Sequence, residues 1–232
     1  MTDNPDDPGT SLGATLSAVA RMLQAEHDVD ATLAAIVKAA VDHVDGAEYA
    51  GISLVESGRA IRTVAPTDNV VSAIDEVQYR TGQGPCLDAI ADHQIYTTGD
   101  LAAEARWAEF ASAAAEFGVH SMLSYRLFVT GTTLGSLNLY SRKRDAFSLQ
   151  TREDGRLFAT HAAIALSGAQ KEAQLGVAIE SRDVIGMAKG ILMQRHDLGP
   201  VAAFRMLVES SQHTNLKLHQ VAAWLVEHRD QL

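Results

Sequence analysis

Residues 121–140 have the sequence SMLSYRLFVTGTTLGSLNLY, in which two apolar runs are separated by a short polar turn. Runs of this length that are rich in Leu, Val, Phe and Tyr are typical of β-strands. The pattern predicts strands over Ser121 to Val129 and Leu134 to Tyr140. Gly131-Thr132-Thr133 is the predicted turn, because glycine and small polar residues favour tight reversals of the chain.

Three earlier segments have a similar strand pattern. Tyr49 to Val55 and Ile61 to Ala65 flank a predicted Ser57-Gly58 turn, and Ile95 to Thr98 is a shorter apolar run. Together with the two strands downstream, they predict an antiparallel sheet.

In the segments around these strands, apolar residues recur at helical spacing, which predicts helices. A first helix is predicted from Leu12, with Leu16, Val19 and Leu23 on the same face, and a second helix follows Asp30 as its N-cap. Asp88 to Asp92 and the alanine-rich stretch Arg106 to Phe117 are shorter predicted helices. Gly82-Gln83-Gly84-Pro85 is a predicted loop. The fold class of this part of the chain is therefore α+β, with helices flanking the sheet.

The strand pattern stops after Phe147-Ser148, and a helix is predicted over Leu149 to Leu198. Within it, six residues recur at every seventh position, and only one of them is polar. This heptad row favours a long helix that pairs with a second copy of the chain. The alternative is two separate helices, broken near Gly168 or Gly176. The row consists of Leu157, Ile164, Lys171, Ala178, Ile185 and Leu192.

Leu198-Gly199-Pro200 is a predicted helix end followed by a new helix start. The next helix has one face formed by Ala203, Phe204, Leu207, Val208 and Ser211. Asn215 is the predicted N-cap of a last helix with the apolar stripe Leu218, Val221, Ala222 and Leu225. Three helices with one inward face each predict a small bundle.

The composition is that of a globular protein, with 232 residues, 47% hydrophobic and a single cysteine. The acidic start of the chain lacks a signal-peptide pattern, and no apolar run reaches about 18 residues, so we expect a cytoplasmic protein without a membrane span. The net charge of −10 argues against nonspecific nucleic-acid binding. The segment from Glu172 to Leu232, however, has six basic and seven acidic residues, so its net charge is only −1.

Several segments of the last quarter, in this order, resemble the ANTAR family of transcription-antitermination regulators: Ala188-Lys189-Gly190-Ile191-Leu192-Met193, Ala203-Phe204, Ser210 to Leu218, and Val221-Ala222. The preceding region resembles a GAF sensor domain, on the segments Arg80 to Asp88 and Gly135 to Tyr140. The combination is similar to the actinobacterial GAF-ANTAR proteins. We therefore expect a disordered acidic tail over 1–10, an α+β GAF domain over 11–170 and an all-α three-helix ANTAR bundle over 171–232, joined by a long helix.

This resemblance implies a signal-responsive protein that binds paired hairpins in nascent leader RNA and prevents a terminator from forming. Two hairpins are best held by two copies of a binding module, so a homodimer is expected. Two other functions stay open: a DNA-binding regulator whose bundle enters a major groove, and a sensor or scaffold whose bundle binds only protein.

Seven residues are candidates for RNA contact. They combine cationic or hydrogen-bonding side chains with positions on or near the family motif. Trp224 could stack on a base but is left out, because such a tryptophan more often closes the bundle. The seven candidates are Arg182, Lys189, Arg195, Arg205, His213, Asn215 and Lys217.

The GAF resemblance implies a possible small-molecule ligand, and Cys86 is the one candidate for contacting it. An inert, packed thiol is the alternative, because the sequence places only Arg80 near it to lower its pKa. GAF-type enzymes that reduce free methionine sulfoxide need a resolving cysteine, which this chain lacks. We find no metal-site spacing and no nucleophile or phosphate-loop motif, so we expect no metal and no enzymatic activity.

Overall fold

The computed structural model describes residues 17–26, 28–56, 60–92 and 95–229. The predictions for the acidic tail over 1–10, for Leu12 and Leu16, and for the Ser57-Gly58 turn lie outside these residues. The described residues fall into two compact units that divide between Gln170 and Lys171.

The first unit contains the sheet and most of the helices. Residues 17–24 form α1. They are followed by α2 (Val29–His43), β1 (Tyr49–Val55), β2 (Ile61–Val64), α3 (Asn69–Thr81), α4 (Pro85–Asp92), β3 (Ile95–Thr98), α5 (Ala108–Ala114), β4 (Ser121–Val129) and β5 (Thr132–Ser141). A long helix, α6 (Leu149–His196), leads to α7 (Pro200–Thr214) and α8 (Leu218–Glu227).

The five strands form one sheet in the order β2-β1-β5-β4-β3, with every neighbouring pair antiparallel, which confirms the predicted sheet. β4 has the predicted bounds, but β5 begins two residues earlier than expected. The turn is shorter because it needs only Thr130 and Gly131, and Gly131 adopts a φ of 80°. Glycine occupies this left-handed region without a steric penalty.

Both faces of the sheet are buried. One face packs against α1, α2 and the first part of α6, with Ile36, Leu137 and Phe158 in the shared core. The other face packs against α3 and α5, where Ile74 and Phe110 lie in a second core. This explains why buried residues follow one another along β1 and β5 without the polar alternation of a half-exposed sheet.

Three helices of the first unit start at residues other than the predicted ones. α4 begins at Pro85, the last residue of the predicted loop and three residues before the predicted Asp88. The N-cap of α2 is Asp28, whose carboxylate accepts a hydrogen bond from the Ala31 N–H at 2.9 Å, so the prediction of Asp30 is wrong by two residues. The predicted helix over Arg106 to Phe117 begins only at Ala108, because the Arg106 guanidinium bonds to Glu104 and to the Thr97 carbonyl outside the helix.

α3 was not predicted from the sequence at all. Asp68 caps its N-terminus, accepting from the Val70 N–H, and Gly82 ends it in the left-handed conformation. Both signals are present in the sequence, together with apolar residues at helical spacing.

α6 is continuous over 48 residues, so neither Gly168 nor Gly176 interrupts it. Residues 151–170 bury one face within the first unit, residues 171–180 are all exposed, and residues 184–193 pack within the bundle. The six residues of the predicted heptad row therefore do not all have the same environment. Its last two members, Ile185 and Leu192, pack within the bundle, whereas Leu157 and Ile164 are exposed.

Among the residues that the structure describes, no helix combines the length and apolar character that crossing a membrane requires.

Candidate functional site

The second unit is held together by a small apolar core. Short side chains, mostly alanine, let the three helices approach closely, and Leu192 of α6 and Leu207 of α7 fill the remaining space. Phe204 was predicted on this inner face, but it lies at the edge of the bundle and is exposed. The buried core residues are Ala188, Leu192, Ala203, Leu207 and Ala222.

Lys189 lies at the edge between α6 and α7 and is half-buried. Its Nζ atom is 5.9 Å from the centre of the Phe204 ring, at the outer limit of a cation–π contact. Arg182 is exposed seven residues earlier on the same face of α6. The structure therefore supports a shared cationic face for these two residues.

Arg195 has a structural contact at the end of the bundle. Its guanidinium donates a hydrogen bond to the backbone carbonyl of Arg229, just beyond α8. This contact joins the end of α6 to the end of α8.

The turn between α7 and α8 brings together three of the predicted residues, His213, Asn215 and Lys217, and all three are exposed. Asn215 does not cap the last helix as predicted. It ends α7 in the left-handed conformation, with φ 54° and ψ 28°, a role that asparagine tolerates well. Lys217 is the N-cap residue of α8, and its backbone N–H donates to the Gln220 Oε1 atom at 3.1 Å.

Arg205 is exposed on α7, two residues from both Ala203 and Leu207. Because those two side chains point into the bundle, helical spacing directs Arg205 away from it. The seven predicted residues thus form an α6 face, an α7–α8 turn and two separate positions, rather than one continuous patch.

The turn has a distinctive charge. From Ser210 to Val226 the chain contains no Asp or Glu, and it contains Lys217, His213 and His219. This 17-residue stretch is therefore positive in a chain whose net charge is −10. Glu209 and Glu227 directly flank the stretch, so the positive charge is local to it. A locally cationic segment can contact a phosphate backbone even when the whole protein is acidic.

The interior of the first unit contains a buried hydrogen-bond network around Asp75 of α3. Its carboxylate accepts from Gln78 Nε2 at 2.9 Å, from Thr63 Oγ1 at 2.8 Å and from the Tyr140 hydroxyl. Burial raises the pKa of Asp75 to about 6, and the three hydrogen bonds only partly offset this effect. Asp75 was missed in the sequence because α3 was missed, and the helical spacing of its apolar neighbours is the signal that reveals it.

A second part of this network contains polar atoms that have no partner. Ser53 Oγ accepts from Tyr79 and from Asn138 Nδ2, both at 2.8 Å. Asn138 Oδ1 and the hydroxyls of Ser124 and Ser136 are buried without a hydrogen-bond partner in the described part of the chain. Ser124 lies directly opposite Asn138 across β4 and β5. Buried polar atoms are normally paired, so this cluster points to bound water or a small polar molecule.

Cys86 lies beside this network, because its backbone N–H donates to Gln78 Oε1 at 3.0 Å and its thiol interacts with Ser53. The thiol is fully buried, and burial raises its pKa well above the ordinary value. A thiol with a raised pKa is mostly uncharged and a poor nucleophile. Among the described residues, no group of three or more His, Cys, Asp or Glu side chains is arranged to hold a metal ion.

Comparison with known proteins gives two family matches. A family model described as GAF domain matches residues 26–167, and one described as ANTAR domain matches residues 173–226. No curated protein sequence matches the chain.

Several solved structures share the fold over 72% to 86% of the chain. A free methionine-R-sulfoxide reductase from Neisseria meningitidis is 16% identical, with a TM-score of 0.55 over 74% of this chain and 97% of that one. A GAF domain of a phosphoenolpyruvate-protein phosphotransferase from Coxiella burnetii is 12% identical, with a TM-score of 0.58 over 72% and 99%. A bacteriophytochrome from R. palustris is 10% identical, with a TM-score of 0.60 over 86% and 45%. At these identities the likeness extends to the fold alone.

Proposed function

Because the chain belongs to the GAF family over residues 26–167 and continues into an ANTAR domain over 173–226, we propose that it is a signal-responsive antiterminator that binds paired hairpins in nascent leader RNA. GAF domains are sensors and ANTAR domains are RNA-binding antitermination modules, so the chain is a regulator. In this proposal, residues 11–170 form the sensor, residues 171–232 bind the RNA, and the protein acts in the cytoplasm.

The observation that carries this proposal is the acid-free turn between α7 and α8. His213, Asn215 and Lys217 are exposed there together, within the ANTAR match. Single-stranded loops are the usual targets of sequence-specific RNA recognition, because a protein can reach their unpaired bases. An exposed turn with these three side chains can contact one such loop and its flanking phosphates.

Titration of the full chain with a two-hairpin leader RNA, with one of its hairpins, and with a DNA duplex of equal length tests the proposal. We expect a clear preference for the two-hairpin RNA. Lys217→Ala should weaken RNA binding. It should also make the slope of log K against log salt concentration shallower by about 1, as expected for the loss of one phosphate contact. Its stability should stay within about 0.5 kcal/mol of the wild type, because the side chain is exposed.

Lys143→Ala is the matched control, since it removes one exposed lysine from the sensor domain. If both variants lose RNA affinity equally, the effect is one of net charge and not of the turn. A preference for the DNA duplex would favour a DNA-binding regulator, and no affinity for either nucleic acid at low salt would favour a protein-binding scaffold.

We further propose that α6 pairs with α6 of a second copy, which provides the second RNA-binding module. Leu157, Ile164, Leu175 and Ile179 are exposed, large and apolar, and helical spacing places them on one face of α6. A second copy of the same face would bury this stripe.

Leu175→Asp and Val177→Asp form a matched pair for testing the dimer. The two side chains are 64% and 63% exposed on the same helix, but helical spacing places Val177 nearly opposite the stripe. We expect Leu175→Asp to give monomers in sedimentation velocity and Val177→Asp to leave the dimer intact. Equal sedimentation of all three proteins would contradict pairing through this face.

The sensor's small-molecule effector is proposed to occupy the cluster of Ser124, Ser136 and Asn138, with Cys86 beside it. The unpaired buried polar atoms support a small polar ligand that offers both donors and acceptors. Thermal-shift screening of the full chain against small polar metabolites, with Ser136→Ala as the comparison, tests this site. A stabilising ligand whose effect is unchanged in Ser136→Ala binds elsewhere.

A further inference from the structure

An open apolar groove runs along the bundle between α7 and α8, with one side chain from α6 at its base. Its volume is about 330 Å³, which is at the small end for ligand pockets in proteins. Seven of its nine lining residues are apolar, and the other two carry hydroxyl groups. The lining residues are Leu192, Met206, Leu207, Ser210, Thr214, Leu216, Val221, Trp224 and Leu225.

Trp224 forms a flat wall of this groove and does not close the bundle. It is 51% exposed, and the imidazole of His228 stacks on it with ring centres 4.7 Å apart and an interplanar angle of 18°. The stack fixes the orientation of the indole. A half-exposed, oriented indole can accept a second planar ring in the groove.

The chemistry around the groove favours a nucleic-acid base over a protein side chain or a second copy of the chain. A specific protein interface usually involves about 20–30 residues on each side, which is far more than this groove can hold. Six of the nine lining residues also belong to the acid-free stretch from Ser210 to Val226, and the other three are apolar. Leu216, which lines it, is directly followed by Lys217, and Thr214 is directly preceded by His213.

We propose that this groove receives one unstacked loop base of the RNA, which stacks on Trp224 while Lys217 and His213 contact the adjoining phosphates. This inference rests on the proposed RNA-binding function and adds the position where a base is held. In a dimer, each copy provides one such groove for one hairpin loop. Because every base has a flat π face, stacking provides affinity, and the hydroxyls of Ser210 and Thr214 add hydrogen-bonding groups to the wall.

The test uses the full chain, the two-hairpin RNA, and versions of that RNA in which one loop nucleotide at a time is abasic. Trp224→Leu should raise the Kd by roughly 5- to 150-fold, the range for losing one stacked base. With the matching loop position abasic, Trp224→Leu should cause no further loss, because the stacked base is already absent. Trp224→Phe keeps an aromatic ring and should bind close to the wild type.

Tryptophan fluorescence provides an independent readout. The only other tryptophan, Trp107, is 3% exposed in the sensor core, so quenching by RNA should come from Trp224 and be absent in Trp224→Leu. Phe128→Leu is the matched control. Phe128 is a similarly exposed aromatic residue in the sensor domain, at 55%, and its loss should leave the Kd unchanged.

Five outcomes overturn the inference. If the wild type binds the two-hairpin RNA and Trp224→Leu binds it equally well, the groove holds no base, although the proposed function stands. If Trp224→Leu also changes the sedimentation of the free protein, the groove holds a second copy. If no abasic position removes the effect of Trp224→Leu, or Trp224→Phe fails to restore binding to a folded protein, the ring is not a stacking surface. If the wild type shows no preference for the two-hairpin RNA, the proposed function fails and the inference fails with it.

Discussion

Asp75→Asn isolates the effect of one buried carboxyl group on the stability of the sensor domain. The carboxyl group is fully buried, and its pKa is about 6 in the folded chain against an ordinary value of 3.8. The amide that replaces it has the same shape and can still accept from Tyr140 and Gln78. Thr63 can turn its hydroxyl to accept from the new amide instead of donating to the carboxylate.

The sign of the pH dependence follows from linkage. Between pH 3.8 and about 6 the folded state binds the Asp75 proton more tightly than the unfolded state does. The stabilisation is therefore fully present below pH 3.8 and is lost as the pH rises through 6. The whole difference in the pKa of Asp75 corresponds to about 3 kcal/mol in the free energy of unfolding. Going from about pH 7.5 to about pH 5 raises the free energy of unfolding by about 1.4 kcal/mol of this.

Urea unfolding at about pH 5 and about pH 7.5 measures this difference, with Trp224→Phe introduced into both proteins so that the buried Trp107 alone reports on the sensor domain. We expect the wild type to gain about 1.4 kcal/mol more than Asp75→Asn on going to the lower pH. Glu104 provides a contrast, because its pKa is lowered to about 2 by hydrogen bonding to Arg106, so it stays ionised in the folded state at both pH values. Equal pH dependence in the two proteins, or a larger gain in the variant, would refute the assignment of the shift to burial of Asp75.

Three further predictions concern other parts of the chain. Asp28→Ala should lower the free energy of unfolding by about 1 kcal/mol, because the N-cap of α2 is lost. Asp30→Ala should lower it by less, because only a favourable interaction with the helix dipole is lost, and urea unfolding of both variants measures the difference. The Cys86 thiol should not react with a thiol reagent in the native protein and should react fully once the protein is unfolded, since it is buried with a raised pKa. With Trp224 replaced by Phe so that Trp107 is the one remaining tryptophan, Leu207→Ala should destabilise the bundle by about 2–5 kcal/mol, as seen by far-UV circular dichroism, while the emission of Trp107 reports an unchanged sensor domain.

The elements that the sequence predicts well are those with strong local patterns. β4 has its predicted bounds because nine residues of strand-forming character end at a glycine turn. α6 is continuous as predicted, because the stretch has no proline and its apolar positions recur every seventh residue past Gly168 and Gly176.

The errors occur where tertiary contacts decide between local alternatives. Asp28 and Asp30 can both cap a helix, and the packing of α2 on the sheet sets where the helix begins. Asn215 satisfies the pattern of an N-cap and also that of a left-handed C-cap, and the short turn selects the second. A heptad spacing of apolar residues does not show whether each residue packs within its own chain or against a second copy. The pattern therefore groups Ile185 and Leu192, which pack within the bundle, with residues that are exposed.

The charge distribution implies that the proposed RNA affinity cannot come from electrostatics alone. The region before Glu172 has 13 basic and 22 acidic residues, so it repels a polyanion. The rest of the chain has only six Lys and Arg side chains, and one of them, Arg195, contacts the backbone of Arg229. Under the proposed function, a few phosphate contacts from the α7–α8 turn would hold RNA weakly, and the proposed stacking of an unpaired base would add affinity that net charge does not oppose. Leu216, which lines the groove, is followed directly by Lys217, so the two proposed contacts are neighbours in the chain. A dimer would duplicate both contacts, and binding two hairpins at once would be tighter than binding either hairpin alone.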